Sequence, residues 1–404
     1  MKVLKFGGTS LAEPEVISKA VDIIKAEPAA AIVVVSAPGK RFAADQKLTD
    51  LLYAWFKQYT AFKQGVDLNA EYKYTKRHIK KRFADIVKGL KLEFDLDGEF
   101  EKIERDIKAG AGVDYMASRG EYLMAKIMAK LLGASHIEAA DVFRFKGKTF
   151  DQETSLKRIL KAVKKKGLCV MGGFYGATST GEIVTFSRGG SDLSGAVAAR
   201  AIGATVYENW TDVEGFFAAS PQIIKEPKKI YYVSYSDMHK MAFYGAQVLH
   251  KDSVSPLCEA GIPINIKSVF SARGTGTIVG DASEKGFISV TSQKGFNLVK
   301  LNADISGAVK IFDDAEFAVK MPTNVMVLTK KSGGAEGEKI PGISRIAVVG
   351  DIKPQRITAI IKATQSVTDI IFMGFEQRVL VLGISDDFCE KTIATIYKVL
   401  FEGS

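Results

Sequence analysis

Cysteine is scarce in this chain. Only Cys169, Cys258 and Cys389 occur among 404 residues, widely spaced and without a C-x-x-C pair. That excludes a disulfide framework and points to a reduced, cytoplasmic protein. Histidine is nearly as rare, with four scattered residues and no metal-ligand cluster, so no protein-built metal site is expected. No run of about 18 apolar residues is present, which excludes a transmembrane helix and a membrane partner. The first residues read as a strand and lack a signal-peptide pattern. What remains is a globular composition, 47% hydrophobic and 25% charged. At 404 residues the chain is too long for one ordinary core, so two or three domains are expected. The formal charge of +10 is concentrated in Lys76 to Arg82 and Lys161 to Lys166, where apolar residues interrupt the charges. These runs read as solvated helix faces. No nucleic-acid module is visible, so no nucleic-acid partner is expected, and attraction of anionic substrates is the milder use of such charge.

Strand and helix patterns alternate through the first two-thirds. Val3, Leu4 and Phe6 read as a buried strand, and Ala31 to Val35, Leu168 to Met171, Ala204 to Tyr207 and Ile262 to Ile266 are further short apolar runs. Helical spacing runs from Pro14 to about Ile24 and through most of Lys47 to Leu132. This alternation predicts an α/β fold with a largely parallel sheet and helices on both faces. Most of the strands run into glycine, serine or other small polar residues, at the ends where ligands bind in such folds. After about Gly280 the texture changes to short alternating strands at Phe296 to Leu301, Phe317 to Met321 and Val325 to Leu328. Lys330 to Lys339 reads as a linker. A strand at Ile343 to Val349, a helix at Pro354 to Ala363, strands at Asp369 to Met373 and Val379 to Gly383, and a helix at Phe388 to Phe401 follow. This is the ferredoxin-like plan with one strand missing or supplied elsewhere.

Chemistry concentrates where strands end. Lys5-Phe6-Gly7-Gly8-Thr9-Ser10 joins a lysine to a glycine turn ahead of a helix, which is a phosphate cradle with a point charge beside it. Thr185-Phe186-Ser187-Arg188-Gly189-Gly190-Ser191-Asp192 is a second anion cradle at a helix start. Arg188 can grip a carboxylate or phosphate. Asp192 either caps its helix, holds Mg²⁺, orients Lys5 or accepts a proton. Glu121, in Ser118-Arg119-Gly120-Glu121, either serves a helix start or binds a substrate ammonium. Thr49, in Leu48-Thr49-Asp50, is either part of an N-cap or a hydroxyl contact. Trp210 reads as core.

These blocks resemble, in this order, the aspartate kinases of the amino acid kinase family. The resemblance is carried by KFGGTS at Lys5 to Ser10, SAPGKR at Ser36 to Arg41, LTDLL at Leu48 to Leu52, SRGE at Ser118 to Glu121 and GGFYG at Gly172 to Gly176. TFSRGGSD at Thr185 to Asp192, ENWTDVEGF at Glu208 to Phe216, GAQVLH at Gly245 to His250 and GIPINIKS at Gly261 to Ser268 complete it. It implies a three-layer αβα amino acid kinase domain over residues 1–283, then a pair of ferredoxin-like (ACT) units at 288–341 and 342–404. It also implies phosphoryl transfer from ATP, with Mg²⁺, to the side-chain carboxylate of L-aspartate. Lys5 and Asp192 would be the catalytic residues, and Thr49, Glu121 and Arg188 would bind the amino acid. Gly7, Gly8, Thr9, Ser36, Gly39, Gly189, Gly190 and Ser191 would hold phosphates, and Thr211, Asp212 and Phe217 would form the adenosine pocket. A homodimer or a dimer of dimers through the ACT units is implied as well.

The chain departs from the family pattern in places. Ala219-Ser220-Pro221-Gln222 lacks the arginine usual after the nucleotide strand, and Gln247 stands where many members carry lysine. Both changes should weaken ATP binding unless Lys225 or Lys228 compensates. Met321-Pro322-Thr323 lacks the aspartate expected soon after it, and Gly350-Asp351-Ile352-Lys353-Pro354 replaces the usual glycine-rich effector loop. Weak or absent feedback by lysine or threonine is therefore expected. A kinase for another acidic amino acid and a non-catalytic ligand-binding relative are the alternatives.

Overall fold

The computed structural model describes residues 1–403 apart from 165, 188, 247–248, 250, 303–316, 321–324 and 331–337. The chain divides into two compact units, Met1–Phe216 with Leu249–Ala282, and Phe217–Val248 with Ser283–Ser404. Arg188, Gln247 and Met321-Pro322-Thr323, singled out in the sequence, lie outside the described residues. So do 331–337 of the expected linker, whereas Glu338 and Lys339 already belong to a strand.

The first unit is built on a sheet whose strands lie in the order Thr277–Gly280, Ile264–Ser268, Val206–Thr211, Lys2–Phe6, Ala30–Val35, Cys169–Gly172 and Ser135–Ile137. All neighbours are parallel except the pair Ile264–Ser268 and Thr277–Gly280. Parallel strands of this kind are covered on both faces and read as continuous apolar runs. The central strand shows it: Val3, Leu4 and Phe6 are fully buried, and the only charge among these interior positions is Lys5. Helix Pro14–Lys25 starts on its proline, whose fixed φ suits a first turn. It buries Ile17, Ala20, Val21 and Ile24 along one stripe. Helix Gly190–Ala201 packs on Lys2–Phe6, Ala30–Val35 and Val206–Thr211. It approaches closely because its inner face is small: a Cβ on Gly195 would lie 2.7 Å from the hydroxyl of Tyr207.

The helical stretch expected between Lys47 and Leu132 comprises helices Leu48–Lys63, Asn69–Gly89, Leu96–Lys108, Val113–Ala117 and Arg119–Leu132. The basic run at its centre is only in part a solvated face. Lys76 pairs with Glu104 at 2.5 Å, and Arg82 is 4% exposed, which corrects the surface reading for that residue. Among the described residues no helix is long and apolar enough to cross a membrane.

The second unit carries an antiparallel sheet in the order Phe317–Lys320, Val325–Thr329, Ile288–Leu301, Glu338–Gly350, Val379–Ser385 and Phe372–Glu376. Ile288–Leu301 supplies the strand that the tail pattern lacked, by pairing along Glu338–Gly350. Helices Pro354–Gln365 and Cys389–Phe401 cover the sheet through a core containing Ile346, Val348, Ile360, Leu382, Ile393 and Ile396. The strand expected at Asp369 to Met373 lies later, at Phe372–Glu376. Gln377 and Arg378 both adopt positive φ, 46° and 69°, and make a two-residue hairpin turn that pairs Glu376 with Val379. The turn sets the register, and the strand runs up to it.

Gly195→Val should destabilise the first unit by about 1–3 kcal/mol through overpacking against Tyr207. Scanning calorimetry of the full chain should show a lowered midpoint, and an unchanged midpoint would contradict this close packing.

Candidate functional site

Because Lys2–Phe6, Ala30–Val35 and Val206–Thr211 are parallel, their carboxyl ends share one edge of the sheet. The turns that leave them interlock. Gly7 N–H donates to the Trp210 carbonyl at 2.9 Å, Ser36 N–H to Phe6 at 3.1 Å and Gly39 N–H to Gly8 at 2.7 Å. A Cβ on Gly39 would lie 2.5 Å from the Gly8 carbonyl carbon. The need for glycine here is close approach of two backbones rather than a left-handed conformation, since Gly8 has φ −61°. The direct glycine-to-helix passage expected from sequence is interrupted: Thr9–Leu11 forms a short 3-10 turn before helix Pro14–Lys25 begins.

Lys5 is 7% exposed, and its Nζ lies 2.5 Å from Asp192 Oδ1. A buried ammonium without such a partner would be driven to neutralise. Asp192 sits in the first turn of helix Gly190–Ala201. Gly189, at φ +63°, is the N-cap, and no side chain caps the helix, so the capping reading of Asp192 fails. Gly173, just after strand Cys169–Gly172, packs here too, since a Cβ on it would meet Ser191 Cα at 2.7 Å. Phe174 follows it with φ +75°, an uncommon conformation for a bulky side chain and of the kind that clusters at functional sites. Its N–H donates to Ser194 Oγ at 3.1 Å. Sequence reasoning did not single out Asn209, whose Nδ2 donates to Asp192 Oδ1 at 2.9 Å. Asparagine is depleted in strands, and its position between Glu208 and Trp210 was the available clue.

Glu121 is 5% exposed and lies in the first turn of helix Arg119–Leu132 without capping it. Burial pushes its carboxyl up to about 8, against the pull of the Ala37 and Glu121 backbone N–H groups and of Arg119. Its Oε2 accepts no hydrogen bond among the described residues. A buried carboxyl with a vacant acceptor, set against the Ser36-to-Gly39 turn, matches a cationic ligand. Thr49 lies within the first turn of helix Leu48–Lys63. Lys47 holds the cap position without a side-chain cap bond, so the N-cap reading of Thr49 fails. One helical turn on, burial raises the Tyr53 hydroxyl, and the nearby carboxylates of Asp114 and Glu121 raise it further, opposed by a hydrogen bond to Thr185. Asp114 in turn accepts from the Thr185 hydroxyl at 3.1 Å and its N–H at 3.3 Å. This anchors the end of strand Ile183–Thr185.

A second group missed by sequence reasoning holds the loop after Gly39. Asp45 accepts from Arg41 Nε and its second terminal nitrogen, each at 2.9 Å. The guanidinium holds its carboxyl well below the usual range. The Arg82 guanidinium donates to the carbonyls of Gly39 at 2.6 Å and Gln46 at 2.9 Å, closing both ends of the loop.

Thr211 ends its strand and donates through Oγ1 to the exposed Asp212 at 3.0 Å. Trp210 is core, stacked on Phe6. Phe217 falls in the second unit. Among the described residues no three acidic, histidine or cysteine side chains converge as a metal cage. One carboxylate, Asp192, faces the glycine turns through its lysine pair. That donor set fits Mg²⁺ in its usual mode, bound through one or two carboxylates together with substrate phosphates.

A family model described as the amino acid kinase family matches residues 1–268. Aspartokinase 3 of Bacillus subtilis is 33% identical over 324 residues, covering 73% of this chain and 69% of that protein. The solved aspartate kinase of Clostridium acetobutylicum superposes with a TM-score of 0.89 at 31% identity, over 99% of this chain and 100% of its own. Aspartokinase III of Escherichia coli, solved in complex with aspartate and ADP, shares the fold with a TM-score of 0.79 at 19% identity, over 100% of both chains.

The Glu121 carboxyl makes stability depend on pH. Between its ordinary value near 4.5 and about 8, the folded chain keeps a proton that the unfolded chain releases. Stability therefore falls as pH rises through that interval. Glu121→Gln removes the dependence, so without ligands its melting temperature should exceed that of the parent by more at pH 8 than at pH 5. An equal difference at both pH values would contradict a buried, uncompensated carboxyl.

Proposed function

The chain belongs to the amino acid kinase family, and from that premise we propose how it acts. It is an aspartate kinase. It transfers the γ-phosphoryl of ATP to the side-chain carboxylate of L-aspartate and yields 4-phospho-L-aspartate, the first step of lysine, threonine and methionine biosynthesis. The observation that carries the reading is a buried lysine paired with an aspartate at the carboxyl edge of a parallel sheet, beside two interlocked glycine turns.

The reaction brings two anions together, a carboxylate and a polyphosphate. The attacking carboxylate is already ionised at neutral pH, with a pKa of about 3.9, so no strong base is needed. The work of the protein is positioning and charge neutralisation. Lys5 supplies positive charge where the phosphoryl group passes, and Asp192 fixes the direction of its ammonium. Gly8 and Thr9 offer backbone N–H groups to phosphate oxygens from one side, and Gly7, Ser36 and Gly39, whose N–H groups are held by the Trp210, Phe6 and Gly8 carbonyls, shape the turns that present them. Gly189, Gly190 and Ser191 offer theirs from the helix start. Glu121 takes the substrate ammonium, Thr49 offers its hydroxyl and Arg188 grips the α-carboxylate. Thr211 and Asp212 lie on the nucleoside side. Mg²⁺, when bound, neutralises phosphate charge, and Asp192 is the residue that would hold it.

The C-terminal tail serves regulation and assembly in this reading. Residues 288–341 and 342–404 are read as the paired ACT-like units after a kinase domain spanning 1–283, although Phe217–Val248 of that span belongs to the second compact unit. The edge strand Phe372–Glu376 leaves Met373 and Phe375 exposed, as a surface for a homodimer or a dimer of dimers. Gly350-Asp351-Ile352-Lys353-Pro354 leaves no glycine-rich loop at the effector position, so millimolar lysine and threonine, singly or together, should leave most activity intact. Strong inhibition by either would refute that.

A hydroxamate assay with ATP and L-aspartate tests the reaction itself. Lys5→Ala and Asp192→Ala should each lower turnover about 10²–10³-fold or more. Turnover within tenfold of the parent in both variants would remove the proposed mechanism.

A further inference from the structure

We propose that Asn209 is a positioning residue for phosphoryl transfer: its side-chain amide clamps Asp192 and so sets where the Lys5 ammonium points. The inference rests on the roles proposed above for Lys5 and Asp192.

Lys5 and Asn209 are register partners on adjacent parallel strands, so their side chains leave the same face side by side. Asp192 reaches that face from helix Gly190–Ala201, and its Oδ1 receives both Lys5 Nζ at 2.5 Å and Asn209 Nδ2 at 2.9 Å. The orientation of the amide is fixed by chemistry, since only its NH₂ can donate to a carboxylate. Two residues earlier on the same strand face, the Tyr207 hydroxyl donates to the main-chain carbonyl of Asp192 at 3.4 Å. Strand Val206–Thr211 thus holds Asp192 at both its backbone and its carboxylate. The ion pair engages one of three ammonium donors on Lys5, so the direction of the other donors follows from where Asp192 is held.

The other half of the amide argues that its place is not a packing choice. Asn209 is 3% exposed, and its Oδ1 accepts no hydrogen bond among the described residues. A buried acceptor left unmatched costs stability that a valine or leucine in the same strand would not. The carbonyl oxygen lies on the face shared with Lys5, so it is also placed to accept from the ammonium when Lys5 turns toward a phosphoryl oxygen.

The test is steady-state kinetics of the full chain in the hydroxamate assay, with melting temperatures recorded alongside. Asn209→Leu deletes both halves of the amide. Asn209→Asp keeps the shape but turns an oxygen toward the Asp192 carboxylate, and it decides the matter if the leucine variant does not fold. Both should lower kcat about tenfold or more while KM for L-aspartate and for ATP stays within about threefold. A parental kcat in the folded variants, or a loss seen only as raised KM, would overturn the role of Asn209. Asp192→Asn serves as the control. If it abolishes turnover while the Asn209 variants remain fully active, the proposal for Asn209 fails and the Lys5–Asp192 mechanism stands. If Asp192→Asn remains fully active, the mechanism itself fails.

Discussion

One ion pair organises the proposed catalytic centre. Lys5 is a charged side chain on the buried central strand of a parallel sheet, and Asp192 meets it at 2.5 Å. Removing one partner of such a pair leaves a buried charge uncompensated, at a cost of about 3–5 kcal/mol. The pair therefore ties helix Gly190–Ala201 to the sheet as firmly as it readies the lysine. The close packing of Gly195 on Tyr207 and the amide of Asn209 act on the same carboxylate-bearing turn. Fold and chemistry share these contacts.

The glycine turns follow the same logic. Gly8 and Gly39 bring two backbone segments into contact that no side chain would permit. Arg82 and Asp45 then pin the loop that Gly39 begins. The result is a closely packed edge in which the Gly7, Ser36 and Gly39 N–H groups are held by main-chain carbonyls. The phosphate site proposed here would need little reorganisation when charge develops. Glu121 completes the complementarity from the other sign: a carboxyl held in a buried place is a poor host for its own charge until a cation arrives.

The parallel sheet and the first glycine turn were legible because their signals are local. A buried strand in this fold is a continuous apolar run, and Lys5 stands out within it. The tail was nearly as readable, except where a hairpin turn of Gln377 and Arg378, residues that rarely take positive φ, displaced a strand. What sequence hid were pairings across the fold. Asn209 meets Asp192 from another element, and Arg82 looks like one more solvent-facing cation until the loop it closes is in view. Thr49 and Asp192 carried the residue types of helix caps, yet Lys47 and Gly189 hold those positions. Capping propensity is a weak local preference, and tertiary placement overrode it.

The direct measurement is a crystal structure with L-aspartate and a non-hydrolysable ATP analogue. Lys5 Nζ should lie within hydrogen-bond reach of a γ-phosphate oxygen, with the aspartate side-chain carboxylate on the far side of the phosphorus. A lysine turned away from both ligands, with Asp192 free of it, would contradict the account.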